Sequence, residues 1–77
     1  SFSMFVNNIA QLTAKEKEIF DLYLAGLVPK EVTAKLNITD NTLKYHNKNI
    51  YSKLGIKSRK ELLQCIKYMQ LHENQTP

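Results

Sequence analysis

The 77-residue chain is short of the residues that would commit it to most specialised classes. It has one cysteine, Cys65, no tryptophan, two glycines and two prolines. A lone cysteine closes no internal disulfide, so a reducing, intracellular setting is the simpler reading. So few glycines and prolines exclude a fibrous repeat and a Gly/Pro-rich disordered segment. No apolar run reaches the eighteen or so residues that a membrane-spanning helix needs. The longest uncharged stretch, 1–13, is broken by Asn7, Asn8 and Gln11 and lacks the basic start of a signal peptide. The first residue is Ser1 and not methionine, which suggests the C-terminal portion of a longer protein.

Enzyme chemistry is missing as well. A chain this short buries only about 60–65% of its unfolded surface, which leaves little material for a deep substrate cleft. There is no nucleophile paired with a base, no carboxylate pair placed for a shared pocket and no glycine-rich phosphate loop. His46 and His72 are too far apart in sequence to begin a metal site, and Cys65 stands alone. No catalysis, cofactor, metal or small-molecule site is therefore expected.

What the chain does have is helical periodicity. Four apolar-periodic segments with very short connections, and no alternating stretch, predict an all-α domain. Thr13 and Glu16 form a capping box ahead of Ile19, Phe20, Leu22 and Tyr23, and Gly26 ends that first helix. Pro29 suits the first turn of a short second helix with Val32 and Leu36 inward. After the turn at Asn37-Ile38, Thr39 caps a third helix from Asp40 to about Leu54, stopped by Gly55. Ser58 and Glu61 make a second capping box that opens a fourth helix bearing Leu62, Leu63, Ile66 and Met69. The second and third helices, joined by so short a turn, make a helix-turn-helix. Residues 1–11 are either a linker or an extra helix, 12–72 the domain, and 73–77 a frayed tail.

The net charge of +4 is not evenly spread. Residues 29–60 carry eight Lys/Arg against Glu31 and Asp40, a net of +6, while the flanking segments carry −1 each. On the third helix, Leu43, Ile50 and Leu54 fall within about 40° of one another and mark the buried stripe. Asn41, Lys44, Tyr45, Lys48 and Ser52 lie opposite, a face with cations and hydrogen-bonding groups but no carboxylate. Such a face suits a polyanion. An α-helix fits the DNA major groove, so Lys44, Tyr45 and Lys48 are the candidates for base edges. Thr39, Asn41, Thr42 and Asn47 are candidates for phosphate, Asn41 and Thr42 because they lie near the positive end of the helix dipole. Lys30, Lys53, Lys57 and Arg59, outside the central face, would position the helix on the backbone.

These residues resemble a known family, the LuxR/FixJ (GerE-like) C-terminal DNA-binding domain of bacterial transcription regulators. The opening Leu12-Thr13-Ala14-Lys15-Glu16-Lys17-Glu18-Ile19 is similar to L-T-x-R-E-x-E-V. The segment from Thr42 to Ile56 is similar to T-V-K-x-H-x-x-N-I-x-x-K-L-x-V, and Arg59 matches the arginine that follows. The resemblance spans roughly residues 12–70. It implies a four-helix domain that binds duplex DNA as a dimer on a palindromic site, with the third helix in the major groove. It also implies a fourth-helix dimer interface, here at Leu63, Ile66, Lys67 and Gln70, although the apolar lines of that helix fit an ordinary core equally well. Carried over by position, Lys44, Tyr45 and Lys48 fall at groove-facing places and Thr42 at a phosphate. RNA polymerase is compatible as a partner, and the expected location is the cytoplasm. Three positions depart from the pattern: Val28 offers no side-chain cap to the second helix, Thr33 replaces a small alanine, and Tyr45 is unusually large.

The other readings concern single residues and two other function classes. His46 borders the buried stripe and is read as structural or phosphate-adjacent. Cys65 is read as packing, and Tyr23 and Tyr51 as core aromatics. A sigma-factor-like promoter-binding module and a helical protein-interaction module stand as alternatives to the regulator output domain.

Overall fold

Helices Ala14–Leu24, Pro29–Leu36 and Asp40–Leu54 start and stop where their unpaired backbone groups find partners. The computed structural model describes residues 2–74. The chain forms α1 (Phe2–Asn8), a 3-10 turn (Ile9–Gln11), α2 (Ala14–Leu24), α3 (Pro29–Leu36), α4 (Asp40–Leu54) and α5 (Arg59–Asn74). No strand occurs among the described residues. The four expected helices are α2 to α5, and α1 is an additional one. Helix α5 continues to Asn74, two residues into the stretch expected to fray. The remainder of that stretch, 75–77, lies outside the described residues.

The N-terminal caps of α2, α5 and α3 differ instructively. At α2 the box is reciprocal: the Glu16 N–H donates to Thr13 Oγ1 at 3.2 Å and the Thr13 N–H to Glu16 Oε1 at 2.9 Å. At α5 it is offset, because Ser58 Oγ accepts from the Glu61 N–H but Glu61 Oε1 takes the Lys57 N–H at 2.8 Å. At α3 the missing side-chain cap leaves half a box, in which the Val28 N–H donates to Glu31 Oε1 at 2.9 Å. Pro29 at the first position has no N–H to leave unpaired. The helix therefore forms without a polar cap, and Thr33 returns its hydroxyl to the Lys30 carbonyl at 2.8 Å.

Helices α2, α3 and α4 end in one way. The N–H groups of Leu27, Ile38 and Ile56 donate to the carbonyls of Leu22, Thr33 and Tyr51 at 3.0–3.1 Å. Each bond spans a residue of positive φ, respectively Gly26 (94°), Asn37 (55°) and Gly55 (72°). This six-to-one bond satisfies an orphan carbonyl and turns the apolar residue after it back toward the core. Asparagine tolerates the left-handed conformation better than other side chains do, so Asn37 does the work of glycine between α3 and α4.

The core lies where these elements converge. Helix α2 contributes Ile19, Phe20 and Tyr23, α3 Val32, α4 Leu43, Ile50 and Leu54, and α5 Leu62 and Ile66, all buried. Each large side chain fully buried in this way contributes about 1.5–3 kcal/mol. Helix α1 joins the core through Phe5, whose ring lies 6.0 Å from that of Phe20, and Phe2 packs edge-on against Tyr68 with centroids 4.4 Å apart. Half-buried Cys65 packs against the same core, and burial together with the charge of Glu61 pushes its thiol above the ordinary cysteine value. A thiol held protonated is a packing group and a poor nucleophile. No helix among the described residues is long and apolar enough to cross a membrane.

Candidate nucleic-acid interface

Helix α4 is presented outward by the elements behind it. Its buried stripe of Leu43, Ile50 and Leu54 is the one that the wheel predicts, and it packs against α1, α2 and α3. Asn41, Lys44, Tyr45, Lys48 and Ser52 are all exposed on the opposite side. Among the described residues Lys44 and Lys48 have no carboxylate partner, nor do Lys30 and Lys57. The lysines of α2 behave differently: Lys15 pairs with Glu18 at 2.9 Å and Lys17 with Asp21 at 2.7 Å. The helix-turn-helix thus holds uncompensated positive charge, while the acid-rich helix behind it neutralises its own.

At the start of α4, Thr39 Oγ1 accepts from the Thr42 N–H at 3.1 Å and donates to Thr42 Oγ1 at 3.0 Å. Thr42 is left with its own hydroxyl hydrogen to give outward, beside the positive end of the helix. A groove of about 680 Å³ runs between α3 and α4, lined by Lys30, Asp40, Lys44, Asn47, Tyr51 and Arg59 among others. Asn47 is half-buried in it, and its Oδ1 accepts from the Tyr23 hydroxyl at 2.8 Å, which leaves the amide hydrogens for other acceptors. Burial raises the Tyr23 pKa, so this donor stays protonated. His46, also half-buried, lies edge-to-face with Tyr45 at 5.6 Å between centroids. No cluster of potential metal ligands exists among the described residues.

Several residues expected at the interface have other partners. Lys53 does not face outward as a free cation: its Nζ donates to Glu16 Oε1 at 2.7 Å, and its carbonyl accepts from Asn8 Nδ2 at 2.9 Å. Arg59 is half-buried with its guanidinium 5.4 Å from the Tyr23 ring centroid, and its Nη1 is buried with no hydrogen-bond partner among the described residues. Ile66 is 5% exposed and belongs to the core. Gln70 donates to the Leu24 carbonyl at 3.1 Å and so helps to close the end of α2. Leu63 and Lys67 remain exposed on the outer face of α5.

The supports of the site are the part least visible in the sequence. Glu16 is only 5% exposed. Its pKa is held below the ordinary glutamate value chiefly by the Lys53 hydrogen bond, which outweighs the opposing effect of burial, with help from Thr13. Glu16, Asn8 and Tyr23 together fix α4 from behind. A capping-box spacing predicts the Thr13–Glu16 bonds but carries no signal for a partner thirty-seven residues away.

Comparison with known proteins agrees with this geometry. Residues 10–66 match the family model GerE, described as bacterial regulatory proteins of the luxR family. The chain is 39% identical over 51 residues to the probable transcriptional regulatory protein SgaR of Hyphomicrobium methylovorum, covering 66% of this chain and 24% of that protein. It is 39% identical over 54 residues to the nitrate/nitrite response regulator NarL of Escherichia coli K12, covering 70% and 25%. With the spore germination protein GerE of Bacillus subtilis it shares 36% identity over 50 residues, covering 65% of this chain and 68% of GerE. The chain thus spans about a quarter of the length of SgaR and NarL. The solved structure of the response regulator StyR superposes with a TM-score of 0.68 and 27% identity, over 86% of this chain and 33% of that one. With a family match across most of its length and a helix-turn-helix whose outward face is basic, the chain belongs to the luxR family of bacterial regulatory proteins as a DNA-binding domain of transcription regulation, not an enzyme.

Proposed function

We propose that this domain reads a specific duplex DNA sequence with α4 in the major groove, as the output module of a longer cytoplasmic regulator. The observation that carries the reading is the exposed, acid-free face of α4, on which Lys44 and Lys48 have no carboxylate partner among the described residues. An unpaired lysine on a groove-facing helix can donate to guanine O6 and N7. Lys44, Tyr45 and Lys48 face base edges, and Thr39, Asn41, Thr42 and Asn47 face the backbone together with Lys30 and Lys57. Lys53 and Arg59 act indirectly, by holding α4 and the start of α5.

Lys48→Ala is expected to weaken binding to a cognate duplex by about 1–3 kcal/mol and to relax preference at one base position. Because Lys48 is exposed and makes no ion pair among the described residues, the stability of the fold should hardly change. Selection of binding sites from random duplexes by both proteins checks this, and an identical base profile would refute the assignment.

The reading includes a dimer formed through the outer face of α5, where Leu63 and Lys67 are exposed and Leu71 extends the apolar line. A two-fold dimer matches a palindromic site in which each protomer reads one half. Sedimentation in the presence of such a site is expected to show two chains per duplex; one chain per duplex at saturation would remove α5 from the interface. An RNA polymerase contact would fall on surfaces left free by DNA and by the second chain.

A further inference from the structure

On the groove-facing side of α4, one side chain is out of keeping with its neighbours. Tyr45 is 64% exposed, more than any other large apolar residue among those described. Around it stand Asn41, Lys44, Lys48 and Ser52, whose side chains end in charged or hydrogen-bonding groups. Lys44 and Tyr45 bound this arc of the helix, about 100° apart. The Tyr45 ring lies edge-to-face with the half-buried His46 at 5.6 Å, with an interplanar angle of 66°. An aromatic body at such exposure has apolar area to bury when a partner arrives.

In the major groove, the bases offer hydrogen-bonding groups that lysine and asparagine can read, and thymine alone adds an apolar one, its 5-methyl group. The geometry points to Tyr45 as the specificity residue for a 5-methylpyrimidine, in ordinary DNA a thymine, on the base step next to those read by Lys44 and Lys48. The ring, not the hydroxyl, makes the contact, since a methyl group has no hydrogen bond to offer. The same chemistry accepts 5-methylcytosine, whose methyl group occupies the same place. This inference rests on the placement of α4 in the major groove.

The test uses the chain itself and duplexes that it selects from a random pool. Each thymine of the selected half-site is replaced in turn by uracil, which deletes the methyl group and leaves every hydrogen-bonding atom unchanged. One position is expected to lose affinity about three- to fivefold, the worth of one buried methyl group. The loss should persist in Tyr45→Phe and vanish in Tyr45→Ala, a variant that should fold because the side chain is exposed. At that position 5-methylcytosine should bind more tightly than cytosine by a similar factor. Four results would overturn the inference: no methyl-sensitive position, sensitivity retained in Tyr45→Ala, sensitivity lost in Tyr45→Phe, or no gain from 5-methylcytosine over cytosine. Failure to select any duplex would instead strike the DNA reading beneath it.

Discussion

Glu16→Ala is expected to lower the stability of the domain by about 2–4 kcal/mol, a large part of what a domain of this size has. The substitution takes the acceptor away from two donors at the edge of the core: the Lys53 ammonium, 2.7 Å from the carboxylate, and the Thr13 N–H, 2.9 Å from it. Breaking a buried pair by removing one member is costly because the other remains desolvated without compensation. The cost is set below that of a fully buried pair because the Lys53 side chain is 34% exposed and partly screened. Lys15→Ala makes a useful contrast. Its partner Glu18 is a surface residue three positions away, and the change should stay within about 0.5 kcal/mol. Urea unfolding of the three proteins compares them directly, and a Glu16→Ala midpoint matching that of Lys15→Ala would refute the anchoring role.

The same pair sets a pH dependence. The Glu16 pKa is depressed in the folded state, so its contribution is fully present above the unfolded glutamate value of about 4.3. It is lost as pH falls from there through the lower folded value. The native chain should therefore lose stability below about pH 4.3 more steeply than Glu16→Ala does. The loss should also be felt at the interface, since Lys53 is in the last turn of α4, where Asn8 of α1 holds its carbonyl.

Raising monovalent salt from about 50 to 200 mM is expected to weaken cognate DNA binding roughly 10³-fold. The figure takes about three neutralised phosphates per protomer, in a dimer, supplied by lysines of the helix-turn-helix that have no carboxylate partner among the described residues. Six released counterions give a log–log slope of about −5. A monomer with the same contacts would show a slope near −2.7 and a loss of only about fortyfold, so the titration reports stoichiometry as well as charge. A flat titration would favour the protein-interaction module over DNA reading. Lys15 and Lys17 should not enter the slope, because their carboxylate partners on α2 already neutralise them.

Much of this molecule is written in local chemistry. The apolar spacing along Leu43, Ile50 and Leu54, the Thr13 and Thr39 caps, and the stops at Gly26 and Gly55 all act within one or two helical turns. A sequence reports such short-range bonds directly, because chain connectivity itself brings the partners together. For the same reason the basic, acid-free face of α4 follows from residue spacing alone, and the motif from Thr42 to Ile56 points to the family. Residues 1–11 are ambiguous in sequence, because an uncharged stretch with scattered apolar positions serves equally as linker or helix. Packing of Phe2 on Tyr68 and of Phe5 on Phe20 decides for helix.

By itself, then, the sequence determined the all-α class, the helix-turn-helix, the family and the acid-free, basic face of α4. Only the tertiary structure decided which of the flanking cations find partners inside the fold. Lys53 and Arg59 look like any other basic residues of the region, yet one pairs with a carboxylate from α2 and the other lies over an α2 tyrosine. The same holds on α5, where Ile66 turned inward while Leu63 and Lys67 stayed out. The physical reason is distance along the chain: the partners of Lys53 and Arg59 lie 37 and 36 positions away, and only the closing of the core brings them within a few ångströms.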